Sequence, residues 1–330
     1  MVYFFTLNKF KSIIEMNLPV LLLIYNRPKE TKKILDYLVK LRVKKIFVSI
    51  DGPKETKKDK DLSKKIEIIL SKFKNKNIVI NKLNKNCGCK KAVEKGINWF
   101  FSNVKKGIIL EDDCIPSKSF FLFCQKMLKR YNNTQVKVIS GNNFLKKRIK
   151  INNHYYFSRF NHCWGWATWK EAWSIYDGNL KNWDQLKSSK RWNKFFTDPI
   201  DKLYWEKIFD LSKKNYFDSW AYPWLYSIWY NNGFTIIPKY NLVKNVGFKG
   251  THNSFYSKTD FKVTNLHKKY KHPSKMIYYD QADNYVMKNF FKPRDFLWPT
   301  RFLFILKMFL TKPKLFITIA FKKIKNNIYD

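Results

Sequence analysis

Acidic residues are scarce in this chain of 330 residues: 25 Asp and Glu stand against 65 Lys and Arg, a formal charge of +40. That excess favours anionic partners such as nucleic acid, nucleotides or an acidic membrane face, without choosing among them. Arginine is rare too, at eight positions, so lysine carries most of the charge and compositional bias accounts for part of it. The five cysteines include no CxxC pair, so the pattern offers neither a disulfide framework nor a zinc site, and reduced thiols in a cytoplasmic setting are expected. Lys9, Lys11 and Glu15 interrupt the apolar residues of the N-terminus, so no secretion signal is expected. The uncharged run 219–238 has the length of a membrane span but contains Pro223, Asn231, Asn232, Gly233 and Pro238, and reads as buried core. Internal repeats and Gly/Ser linkers are also lacking.

What is present is a large core. Hydrophobic residues make up 45% of the chain and aromatic residues 18%, which excludes disorder as the main description. The length suits one large domain or two closely joined ones. Apolar runs at 18–25, 45–50, 77–80 and 107–110 have strand length, and the segments 28–42, 58–74 and 89–103 between them carry helical signals. This β-α-β-α-β-α-β order predicts an α/β fold, a mostly parallel sheet flanked by helices. A helix is expected over 117–131 and a strand over 135–140. Residues 1–145 then form one half, 146–260 an aromatic-rich second half of the same domain, and 261–330 a C-terminal segment. From residue 299 onward the only acid is Asp330, and basic residues alternate with Phe, Leu and Ile, as in a basic amphipathic helical tail suited to an anionic membrane surface.

In open parallel sheets ligands bind beyond the carboxyl ends of the strands, where Asn26-Arg27, Asp51-Gly52 and Glu111-Asp112-Asp113 fall. Three acids at the end of a buried strand repel one another and lose hydration unless a cation joins them. Mg²⁺ or Mn²⁺ prefers such oxygen ligands and commonly bridges a diphosphate. The bland alternative is a solvated acidic turn. Asp218, among Tyr216, Phe217, Trp220 and Trp224, is either a desolvated base for a hydroxyl or a helix cap. Trp164 and Trp166 suit a sugar-stacking platform, although Trp166, Trp169 and Trp173 also have the spacing of a buried helix face. The stretch 245–253 reads as a glycine-hinged loop that brings Lys249 or His252 toward a metal or phosphate. Cys87-Gly88-Cys89 reads as a loop entering a helix.

In order along the chain, Pro19-Val-Leu-Leu-Leu-Ile-Tyr-Asn26-Arg27-Pro28, Val48-Ser49-Ile50-Asp51-Gly52, Ile109-Leu110-Glu111-Asp112-Asp113 and Ile139-Ser140-Gly141-Asn142-Asn143 resemble the successive elements of a GT-A glycosyltransferase. The resemblance is to the N-acetylglucosaminyltransferase I family and bacterial family 2-like transferases. It covers 18–145 and, more loosely, Trp164-Gly165-Trp166 and 218–253. It implies a metal-dependent, inverting transfer from a nucleotide sugar, with a UDP-sugar favoured, to a glycan or lipid-linked saccharide. The protein would be cytoplasmic, at the inner face of the membrane, with no nucleic-acid partner. On the same resemblance Asp113 holds the metal, Asp112 the ribose, Asp51 the base and Arg27 the nucleotide or its phosphates. Glu111 joins these nucleotide-sugar contacts, and Asp218 takes the place of the catalytic base that accepts the proton of the acceptor hydroxyl. Asp218 is followed by Ser219 where the eukaryotic enzymes have a second acid. Two competitors remain. A basic nucleic-acid binder leaves the clustered acids unexplained, and a sugar-phosphate nucleotidyltransferase wants a glycine-rich loop after the first strand that this chain lacks.

Overall fold

The computed structural model describes residues 16–73, 77–145, 148–247, 263–264 and 270–297, with the single positions 306, 309, 310 and 313. Its first half alternates as expected: β1 (Val20–Ile24), α1 (Pro28–Lys40), β2 (Ile46–Ile50), α2 (Lys57–Ser71), β3 (Ile78–Lys82), α3 (Gly88–Asn103) and β4 (Lys106–Glu111). β1 and β2 are buried along their whole length, which is why they read as unbroken apolar runs. α1 starts at Pro28, where a missing N–H costs nothing, and buries Thr31, Ile34, Leu35 and Leu38 at helical spacing. α4 (Lys118–Arg130) follows the short β5 (Cys114–Pro116), its N-terminus capped by the Ser117 hydroxyl, and leads into β6 (Val136–Ser140).

The second half adds β7 (Tyr155–Ser158), β8 (Trp166–Trp169), the short helices α5 (Lys170–Trp173), α6 (Trp183–Lys187) and α7 (Lys190–Phe195), α8 (Pro199–Lys213), α9 (Ala221–Tyr230), β9 (Phe234–Pro238), β10 (Val243–Asn245) and α10 (Asp280–Val286). Eight strands form one sheet in the order β3-β2-β1-β4-β8-β6-β9-β7, and β10 pairs with β5 beside it. The β1–β2, β2–β3, β1–β4 and β6–β9 pairs are parallel, while β8 enters antiparallel between β4 and β6, and β7 runs antiparallel on β9. The protein is thus an α/β molecule with a mostly parallel sheet covered on both faces. A cut at residue 145 passes through this sheet, because β7, β8 and β9 come from the second half. The uncharged run 219–238 is α9 and β9, both buried. No helix among the described residues is long and apolar enough to cross a membrane.

One face of the sheet packs on α1, α2 and α4, and the other on α3 together with an aromatic mass from α5 to α10. Within residues 261–330, α10 belongs to this core: Ala282 and Val286 are buried, and the buried Asp283 accepts from Ser158 Oγ, from the Arg159 backbone N–H and from Arg159 Nε at 2.5, 3.0 and 3.2 Å. The basic tail from 299 lies outside the described residues apart from single positions.

Helical spacing misleads at the tryptophans. Trp166 and Trp169 bound a strand, whose side chains alternate, so a step of three sends their rings to opposite faces of the sheet. His162, just before that strand, is 3% exposed, packs edge-on to Phe144 at 4.4 Å, and its Nε2 has no partner among the described residues. Burial pushes its pKa down to about 3. The unfolded chain therefore takes up a proton below about pH 6.5 that the folded chain refuses, and stability falls as the pH drops toward 3. Between pH 7 and 5 the loss from this residue is about 2 kcal/mol. Urea unfolding at both pH values is expected to show His162→Gln losing less stability than the wild type over that interval; equal losses would show that His162 is not a buried neutral group.

Candidate active site

The carboxyl ends of β1, β2 and β4 meet at one edge of the sheet. Arg27 leaves β1 just before Pro28 fixes the start of α1, and its side chain crosses to the turn after β4. There a single nitrogen, Nη1, lies 2.8 Å from both Asp112 Oδ1 and Asp113 Oδ2. Both carboxylates are largely buried, with side-chain exposures of 7% and 12%. Burial raises the pKa of Asp112 to about 7, against the pull of the Arg27 charge. Burial, with Asp113 and Asp112 as neighbours, also holds the Glu111 carboxyl well above the ordinary range. Asp112 and Asp113 thus share one guanidinium nitrogen with Glu111 next to them in sequence, an arrangement that favours a further positive charge.

Asp113 has a second neighbour at the start of the glycine-hinged stretch 245–253. β10 delivers Asn245, whose Nδ2 donates to Asp113 Oδ1 at 3.5 Å, and the Val246 N–H donates to the Asp113 carbonyl at 2.8 Å. Gly247 then passes so close that a Cβ there would stand 2.0 Å from Asp113 Oδ2. Only a residue without a side chain can pass so close to that carboxylate oxygen, which Arg27 also engages. His252 and Lys249 lie outside the described residues.

Asp51 ends β2, buried, and organises the β3–α3 loop. Its Oδ1 accepts from the Gly52 and Cys87 backbone N–H groups, and its Oδ2 from Asn86 Nδ2, each at 2.9 Å. Burial raises its pKa, opposed by those backbone donors. A parallel network fixes the loop that carries Arg27: Tyr25 OH and Asn26 Nδ2 donate to the two oxygens of Asp59, at 2.6 and 2.9 Å. Asp59 was legible only as the third residue after Thr56, whose hydroxyl caps α2.

Asp218 is exposed, so the expectation of a desolvated carboxylate is corrected. The loop between α8 and α9 points it at the start of α3, where Oδ2 accepts from the Cys89 N–H at 2.7 Å and Oδ1 from the Lys90 N–H at 2.8 Å. It serves the N-terminus of a helix, yet not of the helix that follows it in sequence. Gly88, at φ +77°, makes the approach feasible, since a Cβ there would sit 2.8 Å from Asp218 Oδ2. Burial raises the Cys89 thiol to about 12, helped by Glu111, Asp218 and Asp51 in turn.

No protein-family model matches the sequence, and no curated protein does. Among solved structures the fold is similar to the mannosyltransferase PcManGT of Pyrobaculum calidifontis, in a complex with GDP-Man and Mn²⁺, at 9% identity and TM-score 0.39, over 66% of this chain and 69% of that one. It is also similar to 4-diphosphocytidyl-2C-methyl-D-erythritol synthase of Anaerococcus prevotii, at 14% identity and TM-score 0.32, over 59% and 85% of the two chains. HddC of Yersinia pseudotuberculosis matches at 12% identity and TM-score 0.30, over 47% and 77%. Values this low do not carry an activity from those proteins to this one, and the chemistry has to come from the residues themselves.

Those residues fit a divalent ion. Among the described residues no three His, Cys, Asp or Glu side chains are grouped to hold a metal. Mg²⁺ and Mn²⁺ suit hard oxygen donors, and Mg²⁺ is usually held by one or two carboxylates plus substrate phosphates, not by a closed protein cage. Asp112 and Asp113 supply two carboxylate oxygens that already converge on one positive nitrogen, and Gly247 puts no side chain against them.

The two tryptophans separate. Trp166 is 2% exposed and stacks on Trp220 at 5.5 Å and 18°, with Trp173 and Trp224 against it. No saccharide reaches its ring, and the expected acceptor contact is corrected to core. Trp164 is half-buried after the Ser140–Asn143 turn, its backbone N–H bonded to Asn142 Oδ1 at 3.1 Å and its ring edge-on to Phe144 at 4.9 Å.

Proposed function

We propose that this protein is a metal-dependent glycosyltransferase of the GT-A type. It takes a sugar from a nucleoside-diphosphate donor, a UDP-sugar being favoured, and passes it with inversion to a hydroxyl of a glycan or lipid-linked saccharide at the cytoplasmic face of a membrane. The observation that carries the reading is the convergence of Asp112 and Asp113 on a single cationic nitrogen beside Gly247. In the reading Asp113 binds Mn²⁺ or Mg²⁺ and Asp112 shares that ion or the ribose. The bound ion would neutralise the diphosphate as it departs. Arg27, its charge freed from the two carboxylates, turns its planar donors to the phosphates, a pairing in which guanidinium geometry is effective. Asp51 lies where the base would enter and keeps one edge of the crevice in shape. Asp218, on the loop before α9 and bonded to the start of α3, would take the proton of the acceptor hydroxyl.

The competing readings fit less well. Only Tyr25, Asn26 and Arg27 separate β1 from α1, too few residues for the glycine-rich phosphate loop of a nucleotidyltransferase. A nucleic-acid surface would not set buried acids at its ligand edge.

The test is release of nucleoside diphosphate from a panel of sugar nucleotides. One donor class is expected to be hydrolysed with Mn²⁺, to be inert in EDTA and to recover when Mn²⁺ is restored. Hydrolysis of none of them, or equal hydrolysis in EDTA, would overturn the reading.

A further inference from the structure

β4 and β6 are both antiparallel to β8, and β9 is parallel to β6, so the carboxyl ends of β4, β6 and β9 share one edge of the sheet. β7 runs the other way, and its first residue, Tyr155, pairs with Pro238 at the end of β9. The start of β7 therefore lies on the same edge as Glu111, Asp112 and Asp113. Four strand spacings separate β4 from β7, about 19 Å.

A cavity of about 250 Å³ opens there, between the outer side of β7 and the segment 273–279. It is smaller than the roughly 300 to 1,000 Å³ of pockets that enclose a whole ligand, and so suits one ring of a longer molecule. Its walls include the half-buried Tyr278 and Tyr279 with Asn152, Asn153 and Lys275, and no acidic residue is among those that line it. The aromatic walls are fixed in advance. Tyr278 OH donates to the Gly233 carbonyl at 3.1 Å, and its ring lies 4.5 Å from that of Phe234 and 5.1 Å from the Arg159 guanidinium. Tyr279 donates through its N–H to the Phe157 carbonyl at 2.8 Å and through its hydroxyl to the Lys150 carbonyl at 3.2 Å. Tyr156 also lines the cavity but is 4% exposed, so its ring backs the cavity from the core and offers no open face. Aromatic faces take the C–H face of a sugar, and side-chain amides both donate to and accept from its hydroxyls.

We propose that this cavity is a second saccharide subsite, holding a sugar ring of the acceptor at a distance from the reacting hydroxyl. It rests on the glycosyltransferase reading for its purpose, though not for its chemistry. An acceptor lying along the carboxyl edge of the sheet, past the Ser140–Asn143 turn and the end of β9, spans the acids and the cavity together. A shorter acceptor reaches the acids alone.

The probe is an immobilised array of defined hexose and N-acetylhexosamine oligosaccharides, neutral and anionic, from one to ten residues long, exposed to the full chain without donor. Binding to at least one series above a threshold length is expected. Ser274→Trp, which fills the cavity from an exposed position, and Asn153→Ala are each expected to lower that signal at least tenfold and to leave Mn²⁺-dependent donor hydrolysis unchanged. Wild-type protein that binds no series, or variants that bind as the wild type does, would overturn the subsite. Binding lost in the variants of a protein that hydrolyses no donor would uphold the subsite and remove the glycosyltransferase reading instead.

Discussion

Asp113→Ala is expected to abolish Mn²⁺-stimulated transfer and to leave the melting temperature close to that of the wild type. The carboxylate is largely buried but belongs to neither apolar cluster, so its loss opens no cavity lined by apolar side chains alone. Arg27 keeps Asp112 as a partner, and Glu111 loses a repelling neighbour, so the remaining charges are better balanced than before. The cost falls on the reaction. A metal that offsets developing charge supplies several kcal/mol, and losing it corresponds to a fall of at least about 10³-fold in rate. Measuring donor hydrolysis and thermal unfolding on the same variant separates these effects. Full activity in Asp113→Ala would remove the metal from this position, while a collapse of the melting temperature would make the acids a structural feature.

How much of this site was legible in advance follows from what each residue does locally. β1, β2 and β4 are buried on both faces, so they stand out as apolar runs, and α1 and α3 bury one face at helical spacing, so the carboxyl edge of the sheet could be placed from the sequence. Glu111-Asp112-Asp113 was conspicuous because charge ends an apolar strand abruptly. The pairing of Arg27 with Asp112 was not, because a guanidinium and a carboxylate 85 residues apart leave no periodic trace. The aromatic half was harder. β7 and β8 have four residues each and are buried throughout, so neither alternates, and the tryptophans of β8 imitate a helix face. Gly247 was visible as a hinge, but its close passage against Asp113 depends on β10 pairing with β5.

Asp218→Asn carries the other large expected effect, because it separates the proposed role of this carboxylate as a base from the contacts it makes with α3. As the group that receives the proton of the acceptor hydroxyl, it would be worth about 10² to 10⁴ in turnover, with nucleotide affinity nearly unchanged because the donor is held by other residues. As the partner of the Cys89 and Lys90 N–H groups, Asn keeps one acceptor oxygen and turns its NH₂ toward the other donor, so a partial loss of stability is expected. Asp218→Ala supplies the contrast: it removes both acceptors from α3 and is expected to lower the melting temperature further than Asn does. A base therefore shows turnover lost to the same extent in both variants while stability falls further in Ala, whereas a clamp shows turnover following stability. Acceptor-dependent turnover, nucleotide affinity and melting temperature on the two variants decide between them, and near-normal turnover in Asp218→Asn would leave the residue as the tie that fastens the aromatic half to α3.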